Sequence, residues 1–113
     1  MLEKVSQIVL LKDFYGPLLT EKQQIMLSLY YENDFSLAEI ADDMNITRQA
    51  VHDLVKRAEH QLQQYEEKLG LVEKFQHTRS HLELAHDLLN NDEIDLDRIQ
   101  KATRILKELR DLL

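Results

Sequence analysis

Arg48, Gln49, His52, Lys56 and Arg57 are the side chains of this sequence best suited to a recognition task. Arginine can fork onto guanine and glutamine can pair with an adenine edge. Lysine and arginine can also hold phosphate, which supplies most of a protein's affinity for nucleic acid. On a helix opened by Thr47, Arg48, Gln49, His52 and Lys56 lie outward of the apolar stripe formed by Val51, Leu54, Val55, Ala58 and Leu62, with Arg57 beside them. Thr20, Ser36 and Thr47 each read as a helix N-cap. The free N–H groups of a capped helix start attract phosphate oxygens, so Thr47 joins the DNA-binding residues, and Thr20 and Ser36 are further phosphate-contact candidates.

The elements that would hold these residues can be read from the same stretch. Ser36 caps a short helix from Leu37 to Met44, with Glu39 as its capping-box partner. Asn45 and Ile46 make a tight turn, and Thr47 opens the next helix. Ala41 is small where two helices must approach. Asn45 sits where the turn requires a left-handed backbone, which asparagine tolerates better than most residues. Ile46 plugs the turn, and Ile40, Val51 and Leu54 supply a shared core. This is the pattern of a helix-turn-helix, in which the second helix enters the major groove of DNA.

Two helices precede the motif. Leu2, Val5, Ile8, Val9 and Phe14 predict a first helix over residues 2–14, ended by Gly16-Pro17. Thr20 with Gln23 opens a second, buried through Ile25, Met26, Leu29 and Tyr30 and stopped at Asn33-Asp34. After the motif, Leu62, Tyr65, Leu69 and Val72 continue in steps of three and four, and the pattern resumes at Leu82, Ala85 and Leu89. Such steps make a coiled-coil seam. They predict one helix from Thr47 to about Asn90, bent near Gly70 and on the order of 65 Å long. Asp95 or Asp97 caps a final helix carrying Ile99, Ala102, Ile105, Leu106, Leu109 and Leu113. That helix is expected to fold back over part of the seam Leu62, Tyr65, Leu69, Val72, Leu82 and Leu89, with the surface that remains serving as a homodimer or partner face. Residues 1–62 then form the helix-turn-helix domain and residues 63–113 a helical extension.

Composition fits an all-α fold: of 113 residues only 2 are glycine and 1 is proline, and 43% are apolar. No run approaches the roughly 20 apolar residues of a membrane span. The N-terminus lacks the charged lead and cleavage site of a leader, so a cytoplasmic home is expected. With 0 cysteines, disulfides, cysteine-ligated zinc and thiol catalysis are excluded. Glu73, His77, His81 and His86 recur at near-helical spacing, but a solvated helix face explains them better than zinc. "NNDEIDLD" lacks the glycine and closing glutamate of a calcium loop, and a helix cap explains it. No glycine-rich phosphate loop or nucleophile motif is present, so neither an enzyme nor a cofactor is expected. The charge is the awkward feature. Acidic residues number 21 and basic ones 14, a net charge of -7. From Thr47 to Gln61, Arg48, Lys56 and Arg57 stand against Asp53 and Glu59, while Glu39, Asp42 and Asp43 lie on the preceding helix. Few phosphate contacts mean weak binding with a shallow salt dependence.

"LTEKQQIMLSLYY" followed by "SLAEIADDMNITRQAVHDLVKRAEHQL" resembles region 4 of bacterial sigma factors, which reads the promoter -35 element. The likeness runs from about Leu19 to Leu62. It implies that Arg48, Gln49 and His52 occupy base-edge positions. Ala50 and His52 depart from it, standing where sigma factors often carry arginine. Taken whole, with its start "LEKVSQIVLLKDFYGPLLTEKQQ" and its helical tail, the chain resembles the small YlxM-type helix-turn-helix proteins of Gram-positive bacteria. That resemblance implies a small regulatory protein. The family's gene neighbourhood links it to the signal recognition particle pathway, which makes duplex DNA and the protein or RNA of that particle the expected partners.

Overall fold

The computed structural model describes residues 2–93 and 95–113, with Leu2 described by its backbone alone. Most of these residues are helical, and no strand occurs among them. The order is α1 (Leu2–Tyr15), α2 (Glu21–Leu27), α3 (Leu37–Met44), α4 (Arg48–Leu69), α5 (Leu71–Leu89) and α6 (Leu96–Leu112). They divide into two compact units, one running to Val72 and one from Glu73 to Leu113.

In the first unit, α1 ends where Gly16-Pro17 turns into a short 3-10 segment, Gly16–Leu18. Thr20 starts α2 with the expected capping box: its hydroxyl accepts from the Gln23 amide at 3.2 Å, and the Gln23 side chain accepts from the Thr20 amide at 3.0 Å. The far end of α2 departs from the regular ladder. It widens into a π-turn, Ser28–Glu32, closed by the Asn33 amide on the Ser28 carbonyl at 3.0 Å. The wide turn carries Tyr31, whose hydroxyl donates to Glu59 of α4.

α3 and α4 form the helix-turn-helix as read from the residues. Ser36 and Glu39 make a complete capping box. Asn45 adopts φ 56°, ψ 45°, and the Ile46 amide donates to the Ala41 carbonyl at 3.0 Å, which closes the end of α3. Thr47 then caps α4, its hydroxyl accepting from the Ala50 amide at 3.0 Å. α4 is the spine of the unit and packs against α1, α2 and α3. Its Val51, Val55, Ala58 and Leu62 meet Ile8, Leu11, Tyr15, Met26, Leu27, Ile40 and Ala41 in one core.

The single helix from Thr47 to Asn90 is not what forms. α4 stops at Leu69, after about 33 Å. Gly70 takes the left-handed conformation, φ 61° and ψ 23°, with its amide on the Glu66 carbonyl at 2.8 Å. Two side chains then cap the new helix start. The Tyr15 hydroxyl accepts from the Leu71 amide at 3.1 Å and donates to the Glu66 carboxylate, which accepts from the Val72 amide at 3.0 Å. The periodicity continued through Gly70 because α5 resumes at once. Periodicity reports which faces are apolar, and a one-residue break barely disturbs it.

In the second unit, α5 and α6 are joined by a short connection, and Asp95 rather than Asp97 is the cap, accepting from the Asp97 amide at 2.9 Å. α6 returns beside α5: Leu84 and Leu88 line one hollow together with Lys101, Ile105 and Glu108. Ala85, Ala102 and Leu109 are the buried residues of this unit among those described.

Candidate nucleic-acid interface

α4 sets out the candidate recognition side chains on its exposed side. Thr47, Arg48, Gln49, His52, Lys56 and Arg57 are all exposed, while Val51, Val55 and Ala58 anchor the opposite side. The hydroxyl of Thr47 is spent on the Ala50 amide, so the donors left at this helix start are backbone N–H groups.

The five chemistry-bearing side chains are not equally available. Gln49 Nε2 donates to Asp53 Oδ1 at 3.0 Å, and His52 Nδ1 lies 3.5 Å from the same oxygen. Asp53 therefore holds two of the three base-edge candidates. Lys56 Nζ is 3.6 Å from Glu59 Oε2, and Lys4 of α1 reaches the same oxygen at 3.8 Å. Shared with Lys4, the Glu59 carboxylate holds Lys56 above the usual lysine value, so it stays cationic. Arg48 and Arg57 make no ion pair among the described residues and remain the two uncommitted cations of the face.

The phosphate-contact candidates at the other helix starts are occupied from within. The Thr20 hydroxyl and amide both pair with Gln23. At Ser36 the partner is the Glu39 carboxylate, 3.2 Å from the Ser36 amide. That carboxylate already satisfies the positive end of α3, and Asp42 and Asp43 follow it on the exposed side.

The inward position of two acidic residues of α4, Glu59 and Glu66, is not part of the expectations above. Glu59 is buried beneath Tyr31, Lys4 and Lys56. Burial, followed by the Glu59 carboxylate, pushes the Tyr31 hydroxyl well above the ordinary tyrosine value. Tyr15 is raised in the same way, by burial and then by Glu66. The signal was present: Val55, Glu59, Leu62 and Glu66 recur at three and four, which places both carboxylates on the inward face.

The expected partner face does not form one surface. Leu62 and Val72 lie in the core of the first unit. Tyr65 is half-buried, its ring 6.0 Å from that of Tyr15. Leu69, Leu82 and Leu89 are exposed. On α5, His81 Nδ1 pairs with the His77 carbonyl at 2.9 Å, and no group of three His, Asp or Glu able to hold a metal occurs among the described residues. None of the described helices is long and apolar enough to cross a membrane.

Comparison with known proteins agrees with this architecture. The family model UPF0122, described as "Putative helix-turn-helix protein, YlxM / p13 like", matches residues 2–109. A UPF0122 protein of Desulforamulus reducens is 47% identical over 110 residues, covering 96% of this chain and 94% of its own. One from Symbiobacterium thermophilum is 45% identical over 106 residues, covering 94% and 97%. A UPF0122 protein of Bacillus cereus is 40% identical over 109 residues, covering 96% and 99%.

Proposed function

The chain belongs to the UPF0122 family of YlxM/p13-like helix-turn-helix proteins, and on that premise we propose that it is a non-enzymatic, cytoplasmic regulatory protein that binds duplex DNA as a homodimer. α4 is the recognition helix. Arg48, Gln49 and His52 face the base edges, and Lys56, Arg57 and the N–H groups at the start of α4 take phosphate. The observation that carries this reading is the capped turn itself. Asn45 in the left-handed conformation and Thr47 on the Ala50 amide present the first turn of α4 outward, the part of a recognition helix that reads bases. Arg48, uncommitted and at the tip, is the residue on which discrimination should rest. The test is duplex binding by fluorescence anisotropy over a library of sequences. Arg48→Ala should lower affinity for the preferred sequence by about 1–3 kcal/mol and relax the preference at one base pair. Binding that Arg48→Ala leaves untouched would overturn the assignment.

A second reading has its own support. Asp53 engages Gln49 and His52, Glu59 engages Lys56, and the chain is acidic overall. These features suit an accessory factor of the signal recognition particle pathway that uses the helix-turn-helix as a scaffold for protein or RNA binding. Recovery of the purified particle protein or its RNA by the full chain, unchanged by Arg48→Ala, would favour it. Failure to recover either would remove it.

A further inference from the structure

The second unit spans Glu73–Leu113, yet among its described residues only Ala85, Ala102 and Leu109 are buried. Two helices of this length have too little core to stand alone. Each carries a second apolar seam besides the one it turns toward its neighbour. On α5 the inner positions are Thr78, His81, Ala85 and Leu88, all buried or half-buried, whereas Phe75, Leu82 and Leu89 recur every seventh residue and stay exposed. On α6 the inner positions are Arg98, Ala102, Ile105 and Leu109, whereas Ile99, Leu106 and Leu113 recur every seventh residue and stay exposed, with Leu96 one turn before them.

The rotational sense of these seams is decisive. At 3.6 residues per turn, each outer seam is displaced from its inner seam by roughly 60–100°, clockwise as seen from the helix N-terminus in both cases. Because α6 runs back along α5, equal senses on antiparallel helices bring the two outer seams to the same side of the hairpin. The result is one continuous apolar face. Its seven large side chains are 40–77% exposed. That amounts to roughly 600 Å² per chain, the top of the range for the largest patch on a monomer and close to the roughly 800 Å² that each partner contributes to a standard interface.

We propose that this face is covered by the same face of a second copy, so that the two α5–α6 hairpins form a four-helix bundle. A two-fold axis lying in the contact plane sets every neighbouring pair of helices antiparallel, with heptad-spaced apolar residues meeting across the interface, the packing that such bundles use. A face built from one repeat on both helices is its own complement, and the area matches what a dimer needs. This inference rests on the homodimeric part of the proposed function and relocates the contact from the Leu62–Val72 seam to Phe75, Leu82, Leu89, Leu96, Ile99, Leu106 and Leu113.

The test uses the full chain and needs no DNA, so its failure leaves duplex binding by a single copy to be decided separately. Sedimentation equilibrium should give twice the 13.4 kDa chain mass at tens of micromolar, and Leu106→Glu should return the chain mass with α-helical circular dichroism kept. The chain has no cysteine, which allows a gentler second readout. A thiol reagent should modify Leu106→Cys at least tenfold more slowly than Leu84→Cys, on the other side of the hairpin, and the difference should vanish on dilution below the dimer dissociation constant. A wild-type monomer at 100 µM, a Leu106→Glu dimer, or equal concentration-independent reaction of the two cysteines would each overturn the proposal. Should Leu106→Glu fail to fold, the cysteine rates decide.

Discussion

Replacing Gly70 by alanine isolates the energetic meaning of the break between α4 and α5. Gly70 has φ +61°, and a Cβ placed there meets nothing within 4 Å. The substitution therefore adds no clash, and its cost is the left-handed backbone alone, about 1–2 kcal/mol for an L-residue. In the unfolded chain alanine is the stiffer residue, which offsets a few tenths of this. A net loss of about 1 kcal/mol lowers Tm by about 4 °C in a chain of this length. Gly70→Asn is the matched control, since asparagine enters the left-handed region readily and should lose distinctly less. Thermal unfolding monitored by circular dichroism at 222 nm measures both. A Gly70→Ala variant as stable as wild type or more so, with Gly70→Asn less stable, would mean that the chain prefers a continuous helix through residue 70. The account of the break would then be wrong.

The cap beside that glycine makes a second prediction. Tyr15→Phe removes a hydroxyl that both donates to Glu66 and accepts from the Leu71 amide; urea denaturation should show a loss of about 1–3 kcal/mol, because two partners are left unsatisfied. The tyrosine–carboxylate pairs also fix an alkaline limit. Tyr15 and Tyr31 are raised above the ordinary value, by burial and then by Glu66 and Glu59, so the folded state holds their protons where the unfolded state has released them. The stability they contribute is complete below pH about 10 and is lost as pH rises through the raised folded values. Tm measured against pH should fall above that point, and Tyr31→Phe should flatten the fall; an equal slope in the variant would remove Tyr31 as its source. On α4, Asp53→Asn deletes an anion and loosens its hold on Gln49 and His52. Together these are worth about 1 kcal/mol, so duplex affinity by anisotropy should rise roughly fivefold, and unchanged or weaker binding would contradict the placement of α4 against DNA.

Most of the helix-turn-helix was legible because its demands are local. Ser36 with Glu39, Asn45 at the turn and Thr47 at the next cap are each set by backbone groups within a few residues. The Gly70 break was not legible as a stop. A lone glycine inside a periodic pattern is tolerated in many helices, and what makes this one a terminus is Tyr15, distant in sequence, supplying the cap for Leu71. The π-turn has no local signature either; Tyr31 and Glu59 are brought together by the packing of the helices. At the candidate interface, residue types and outward positions were readable, but their availability was not. Asp53 and Glu59 were counted as charges, whereas their effect lies in which side chains they hold. The seam after Leu62 misled for a related reason. Its first half belongs to the core of the first unit, and only Leu69, Leu82 and Leu89 reach the surface.

The central claim is that α4 grips duplex DNA through a small number of cations, and the salt dependence of binding counts them. Duplex affinity of the wild-type chain should fall on a log–log plot against salt with a slope of magnitude roughly 2–4 per protomer, since each neutralised phosphate contributes about 0.9. The double variant Arg48→Ala/Lys56→Ala should lose most of the affinity and flatten the slope by between one and two phosphate contacts. A wild-type affinity no better than that of the double variant, or a slope that the two substitutions leave unchanged, would contradict the claim.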